Sequence, residues 1–256
     1  MTARNFLIRG LLAGLVAGVI TFIVANVFGE PSIDTAIGIE EAGTEEPHDE
    51  AAGQAHEEDG TEVSRTTQKT FGLGTATLAV GTVLGGLVAL AAAAVVGRVR
   101  RLTPAQSTGL IAVVGFVSVA LVPFLKYPAT PPAVGNPDTI GSRTGYYFLY
   151  MLISVVAAVL AVALGRYLSD RLRVLEAVTI AVAAYLVVVV GFGYVLPTVN
   201  EIGDFPGDTL WYFRRASLIT LATMWAVIGI LLTALVGRLY ERETRAAERR
   251  NLAASL

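Results

Sequence analysis

Residues 7–28 read LIRGLLAGLVAGVITFIVANVF, an apolar run with a single charged residue, Arg9, near its start. A hydrocarbon layer about 30 Å thick requires roughly 20 apolar residues in a helix. A loop or an open strand would leave backbone N–H and C=O groups without partners at that depth. The run is therefore predicted to span a membrane. Five further stretches, about 71–96, 106–125, 145–164, 174–196 and 216–237, meet the same requirement. With 54% apolar residues and a mean hydropathy of +0.63, the chain is predicted to be an all-α integral membrane protein, a single polytopic domain over residues 1–256.

The basic residues set the expected orientation. Thirteen of the nineteen are arginines that precede span one or follow spans two, four and six; Arg65, Lys69, Lys126, Arg143, Arg214 and Arg215 fall on the other side. The positive-inside rule then places both termini in the cytoplasm of a multi-pass plasma-membrane protein. Residues 238–256 become a cytoplasmic helical tail, steadied by its alternating arginines and glutamates. Arg4 and Arg9 before an apolar run also suggest a signal peptide. The length of the run and the exit Phe28-Gly29-Glu30-Pro31, which lacks a small-x-small cleavage site, favour an uncleaved anchor.

Six spans with short basic inner links and long proline-bearing outer links predict three successive hairpins. Pro31, Pro128 and Pro197 each follow an ascending span, where the missing N–H should end the helix. Three extracytoplasmic connections follow: an acidic, histidine-containing loop at 30–70, and ordered, proline-rich loops at 126–144 and 197–215. They are expected to converge on one surface, with Asp138 or Thr139 capping the next helix. Gly10, Gly14 and Gly18, Gly81 and Gly85, and Ala157, Ala161 and Gly165 recur at four-residue spacing, which lets helix backbones approach within one bundle.

From Glu30 to Ser64 the chain carries twelve carboxylates and both histidines, with no lysine or arginine. His48-Asp49-Glu50 and His56-Glu57-Glu58-Asp59 are the candidate metal ligands. Imidazole with carboxylate suits Co²⁺, Ni²⁺ or Zn²⁺, and the absence of cysteine removes thiolate sites. The competing reading is a disordered, solvating loop whose charge keeps it off the packed domain, and between the two stands weak electrostatic concentration of cations without fixed coordination. A second candidate site is an outer vestibule formed by Glu30, Asp34, Lys126, Tyr127, Pro128, Asp138, Arg143, Asn200, Glu201, Asp204, Asp208 and Arg214. Inside the spans, ionisable groups are nearly absent. Asn26, Ser118, Ser154, Tyr185, Tyr194, Thr220 and Thr223 remain as polar groups, most simply bonded to their own helices.

Catalytic motifs fail on chemistry. The Lys69-Thr70 pair follows Gln68 where a phosphate-binding loop needs glycine, and the two histidines stand eight apart where a metalloprotease helix needs four. No enzymatic activity and no nucleic-acid partner are expected.

Five segments in order carry a resemblance: RGLLAGLVAGV at Arg9–Val19, FGEPSID at Phe28–Asp34, EDG at Glu58–Gly60, LKYPATPPAVGNPDTIGSRT at Leu125–Thr144 and LPTVNEIGDFPGDTLWYFRRASL at Leu196–Leu218. In these the chain resembles the CbtA family of predicted cobalt transporter subunits. The resemblance implies a five- or six-helix membrane protein linked to cobalt supply for cobalamin synthesis, beside a small one-helix partner of the CbtB type. The expected function is divalent-cation uptake, with cobalt or another divalent cation held only transiently and no firmly bound cofactor. The alternative is a non-transporting subunit of a larger membrane complex.

Overall fold

The computed structural model describes residues 2–44, 64–97 and 102–255. Six helices long and apolar enough to cross a membrane organise them. We denote these α1 (3–44), α2 (Arg65–Val95), α3 (Pro104–Lys126), α4 (Ile140–Ser169), α5 (Val174–Val195) and α6 (Gly207–Ala254). An even number of crossings puts both termini at one face. The opposite end, which carries the acidic insertion and the proline-rich connections, is termed the loop face.

Packing begins with the glycines. A methyl group on Gly10 or Gly14 would overlap the carbonyl oxygens of Gly85 and Gly81, and one on Gly18 would lie 2.7 Å from the oxygen of Thr77. The two helices thus meet backbone to backbone over more than two turns, as the four-residue spacing predicted. Bulkier residues extend the core from this seam. Phe6, Ala13, Ala17, Val88 and Ala92 join Trp225, Ile228, Leu232 and Val236 of α6, with Ala112 and Ala120 of α3 closing the group. Gly115 admits the Trp225 ring, whose Cζ3 would stand 2.6 Å from an added methyl.

The pairing differs from three successive hairpins. The α1–α2 hairpin is closely packed, but α3 packs on α6, and α5 packs on α4. The α4–α5 pair reaches the four-helix core chiefly through the loop-face half of α3. Two hydrogen bonds join the pair at depth, Tyr150 Oη donating to Val189 O at 2.8 Å and Ser154 Oγ meeting Tyr185 Oη at 2.8 Å. Ser118 and Thr220 instead donate to carbonyls of their own helices. Apolar periodicity reports that a helix is buried on one side without naming its neighbour, so pairing had to come from shape.

Pro31 does not end its helix. The helix runs to Thr44 because residues 25–29 form a π turn, in which the Glu30 N–H bonds to Ala25 O five residues back. Such a turn moves the carbonyl ladder that the proline ring would otherwise strike. Pro123 lies inside α3 by the same means, after a π turn at Phe116–Leu121 closed by the Val122 N–H on Val117 O. Pro128 and Pro197 do lie beyond helix ends. The segment 30–70, expected as a loop, is accordingly helical over Glu30–Thr44 and again from Arg65. The 126–144 and 197–215 connections are likewise shorter than expected, because a 3₁₀ turn at Pro137–Thr139 leads into α4 and α6 starts at Gly207. Thr139 stands at the N-cap of α4, one of the two expected positions, though without a side-chain cap bond, and Asn136 caps the preceding 3₁₀ turn, its Oδ1 accepting from the Asp138 N–H at 2.9 Å.

Substituting Gly14 or Gly81 by alanine is expected to cost at least about 3 kcal/mol, since the methyl meets backbone that has no rotamer with which to yield. Gly38, with nothing within 4 Å of an added methyl, should gain about 0.5–1 kcal/mol from the same change. Thermal loss of helicity in detergent, followed by circular dichroism, distinguishes the two.

Candidate functional site

Above the glycine seam, α1 and α2 continue as a charged stalk. Arg65 pairs with Glu30 and lies 3.2 Å from Asp34, which also pairs with Lys69. The Asn26 amide donates to Lys69 O at 3.4 Å, so the π turn of α1 faces a second one at Gln68–Gly72 in α2. Glu30 is 6% exposed. A carboxylate this buried needs a counter-charge, and Arg65, the first basic residue after the acidic stretch, supplies it.

The two proline-rich connections are tied to each other by Glu201. Its Oε2 accepts from the Asn136 N–H at 2.9 Å, lies 2.8 Å from the Thr139 hydroxyl and stands 3.6 Å from Arg143 Nε. Tyr127 Oη donates to Pro197 O at 2.8 Å, and Lys126 Nζ reaches Thr198 Oγ1 at 3.3 Å. Gly135 makes room for this latch. With φ at +112°, it lies beneath the Arg143 guanidinium, whose Cζ would be 2.8 Å from an added methyl. The same guanidinium donates to Asn136 O at 3.3 Å.

Stalk, latch and the first turns of α4 and α6 enclose a cavity of about 680 Å³ at the loop face. Its charged lining is Glu30, Glu201, Arg143 and Arg214; Tyr127, Thr130, Thr144, Tyr147, Ser217 and Thr220 add hydroxyl-bearing side chains, and the remainder is mainly apolar. The expected convergence of the three connections is thus present in the described residues. Of the expected vestibule, Glu30, Tyr127, Pro128, Arg143, Glu201 and Arg214 line the cavity. Asp34 lies beyond it in the stalk, and Lys126 supports the latch from outside. Asp138, Asn200, Asp204 and Asp208 are not in its lining, and Asp208 Oδ1 accepts from the Thr209 N–H at 2.8 Å.

The candidate ligands His48, Asp49, Glu50, His56, Glu57, Glu58 and Asp59 lie outside the described residues. Among the described residues, no group of three His, Asp or Glu side chains could hold a metal ion. Sequence reasoning missed Asn136, Thr139 and Gly135 as parts of the latch, although Asn136 before Pro137 already carried a turn signature. It also missed that Arg65 and Lys69 neutralise Glu30 and Asp34, a pairing that only the side-by-side helices bring about.

The Asn136 N–H, then the Thr139 hydroxyl and the Arg143 charge, hold the Glu201 carboxyl below its ordinary value of 4.5. A depressed folded-state value means that the latch contributes its full stability above the ordinary value and loses it as pH falls through the folded one. Hydrogen exchange at the Asn136 amide, corrected for intrinsic rate, should therefore show protection at neutral pH that fades only once pH has fallen below the ordinary carboxylate range. Glu201→Gln should lower that protection at neutral pH and flatten its dependence on acid. Gly135→Ala should remove protection at every pH by displacing Arg143 and straining a positive φ.

A comparison with curated proteins and one with solved structures returned no match. A family model described as "Probable cobalt transporter subunit (CbtA)" matches residues 3–237. That interval contains the glycine seam, the first five long apolar helices with the start of α6, and every residue of the loop-face cavity, so the chain is a multi-pass membrane protein that belongs to the CbtA family of probable cobalt transporter subunits.

Proposed function

We propose that the chain is the membrane subunit of a cobalt-uptake system that supplies cobalamin synthesis, with its loop face outside and both termini in the cytoplasm. The observation that carries this reading is the convergence of three sequence-distant segments on one cavity, which Glu30 and Ile33 of the helix leading toward the acidic stretch help to line. Residues 45–63 hold eight carboxylates and both histidines. Such a segment raises the local cation concentration electrostatically, and His48 and His56 with their neighbouring carboxylates give a borderline dication transient ligands. The thirteen terminus-side arginines support the orientation.

Below the cavity the spans carry hydroxyls, amides and closely packed glycines rather than carboxylates. Transporters that couple flux to protons place ionisable groups at that depth. The driving force is therefore assigned to partners, with a one-helix subunit of the CbtB type and a larger membrane complex as the candidates. The surrounding lipid bilayer completes the assembly. The subunit itself performs no catalytic step.

The test is cellular cobalt content, by elemental mass spectrometry, in matched deletion and complemented strains at limiting cobalt, with nickel and zinc measured in the same samples. A cobalt-selective fall that complementation restores is expected. Unchanged levels of all three metals would overturn the proposal and leave the chain as a structural subunit.

A further inference from the structure

Arg214 is the one charged residue of the cavity lining whose charge is not compensated within the described residues. Glu30 is taken by Arg65; Glu201 and Arg143 take each other. The Nε atoms of Arg143 and Arg214 are both buried without a hydrogen-bond partner, but Arg143 Nε stands 3.6 Å from Glu201, whereas Arg214 makes no ion pair among the described residues. A guanidinium is charged at all physiological pH and presents five N–H donors in a planar fork that suits an oxyanion. A donor of this kind left unmet is destabilising, and an oxyanion at the guanidinium would relieve it.

The surroundings name the class of ligand. Arg214 sits two turns into α6, just after the exposed aromatic residues Trp211 and Tyr212, the residue types that gather at the headgroup level of a bilayer. The cavity walls are largely apolar: Ala25 and Ile33 of α1, Leu73 of α2, Ile140 of α4 and Leu221 of α6. Ile140 of the lining is itself exposed, so the cavity is continuous there with apolar surface of the kind that faces lipid. Because α4 joins the core through α3, its first turns stand across the cavity from α1. A freely soluble anion gains nothing from such walls, whereas an acyl chain does.

We propose that the loop-face cavity binds a phospholipid, the headgroup phosphate on Arg214 and the glycerol and upper acyl chain against the apolar walls. The lipid holds the α4–α5 pair at a fixed distance from α1 and α6. The lipid would occupy the cavity on which the proposed function rests, and its retention is measured without metal.

Native mass spectrometry of the full-length protein in detergent, titrated with phosphatidylglycerol, tests it. Wild type should retain one lipid. Arg214→Gln should bind about tenfold more weakly, as the loss of one charge-assisted contact implies. Arg214→Lys should keep most of the binding. Arg215→Gln should match wild type, since Arg215 lies over the Tyr212 ring at 4.9 Å, outside the cavity lining. Inorganic phosphate at millimolar concentration should not compete. Equal weakening by Arg214→Gln and Arg215→Gln would reduce the effect to surface charge and overturn the proposal. Arg214-dependent displacement by inorganic phosphate would overturn it in favour of a soluble anion, and failure of wild type to retain the lipid would overturn it outright.

Discussion

The backbone contact between α1 and α2 is the constraint on which the remaining architecture rests. In a bilayer, helices gain no hydrophobic free energy from meeting one another, because lipid tails are as apolar as leucine. What holds them is close packing, and Gly10, Gly14 and Gly18 against Gly81 and Gly85 bring the backbones closer than any side chain would allow. The seam fixes the register of the two helices. Register in turn sets Arg65 beside Glu30 and Asp34, and Lys69 beside Asp34, well above the glycines. A slip of one turn would leave Glu30 buried without its counter-charge. The stalk is thus a consequence of the seam, and so is the wall of the cavity that Ala25, Gly29 and Glu30 form.

The cavity exists because two parts of the molecule meet at one end only. The four-helix core is continuous from Phe6 to Val236, whereas the α4–α5 pair is attached through the loop-face half of α3 and the latch about Glu201. Two π turns contribute to this shape. Each stands immediately before a proline, at Pro31 and Pro123, and lets a helix continue where it would otherwise break. In α1 the continuation carries the helix past Pro31 to Thr44. In α3 it carries the helix to Lys126, at the edge of the latch, where the Tyr127 ring meets the Tyr150 ring edge-on at 6.1 Å. The charges that line the resulting space largely cancel. Residues 45–63 carry eight carboxylates of the sequence, and among the described residues the cavity guanidinium without an ion pair is that of Arg214.

Six spans, the glycine seam and the convergence of the connections were legible in the sequence because each depends on residue type at short spacing. Gly10, Gly14 and Gly18 can only mean close approach when the surrounding residues are apolar. The pairing of α3 with α6 and of α4 with α5 was not legible, since chain order and apolar periodicity are equally compatible with successive hairpins. Pro31 misled for a different reason: its usual effect presumes an i to i−4 ladder, and the π turn before it has no signature in residue type. The latch was half visible. Glu201 and Arg143 stood out as charged residues in ordered connections, but Asn136, which donates its N–H to Glu201 and caps Asp138, looked like an ordinary turn residue. The neutralisation of Glu30 and Asp34 depended on two helices standing side by side.

The central claim is that function at the loop face requires the assembled cavity and not the acidic segment alone. Cobalt content in a deletion strain complemented with Glu201→Gln, with a chain lacking residues 45–63, or with wild type measures this directly, with protein levels matched by immunoblot. The account predicts that the Glu201 variant accumulates less cobalt than the shortened chain, whose loss of charge slows supply without dismantling the cavity. Equal or smaller impairment by Glu201→Gln would contradict it and place the function in the acidic segment.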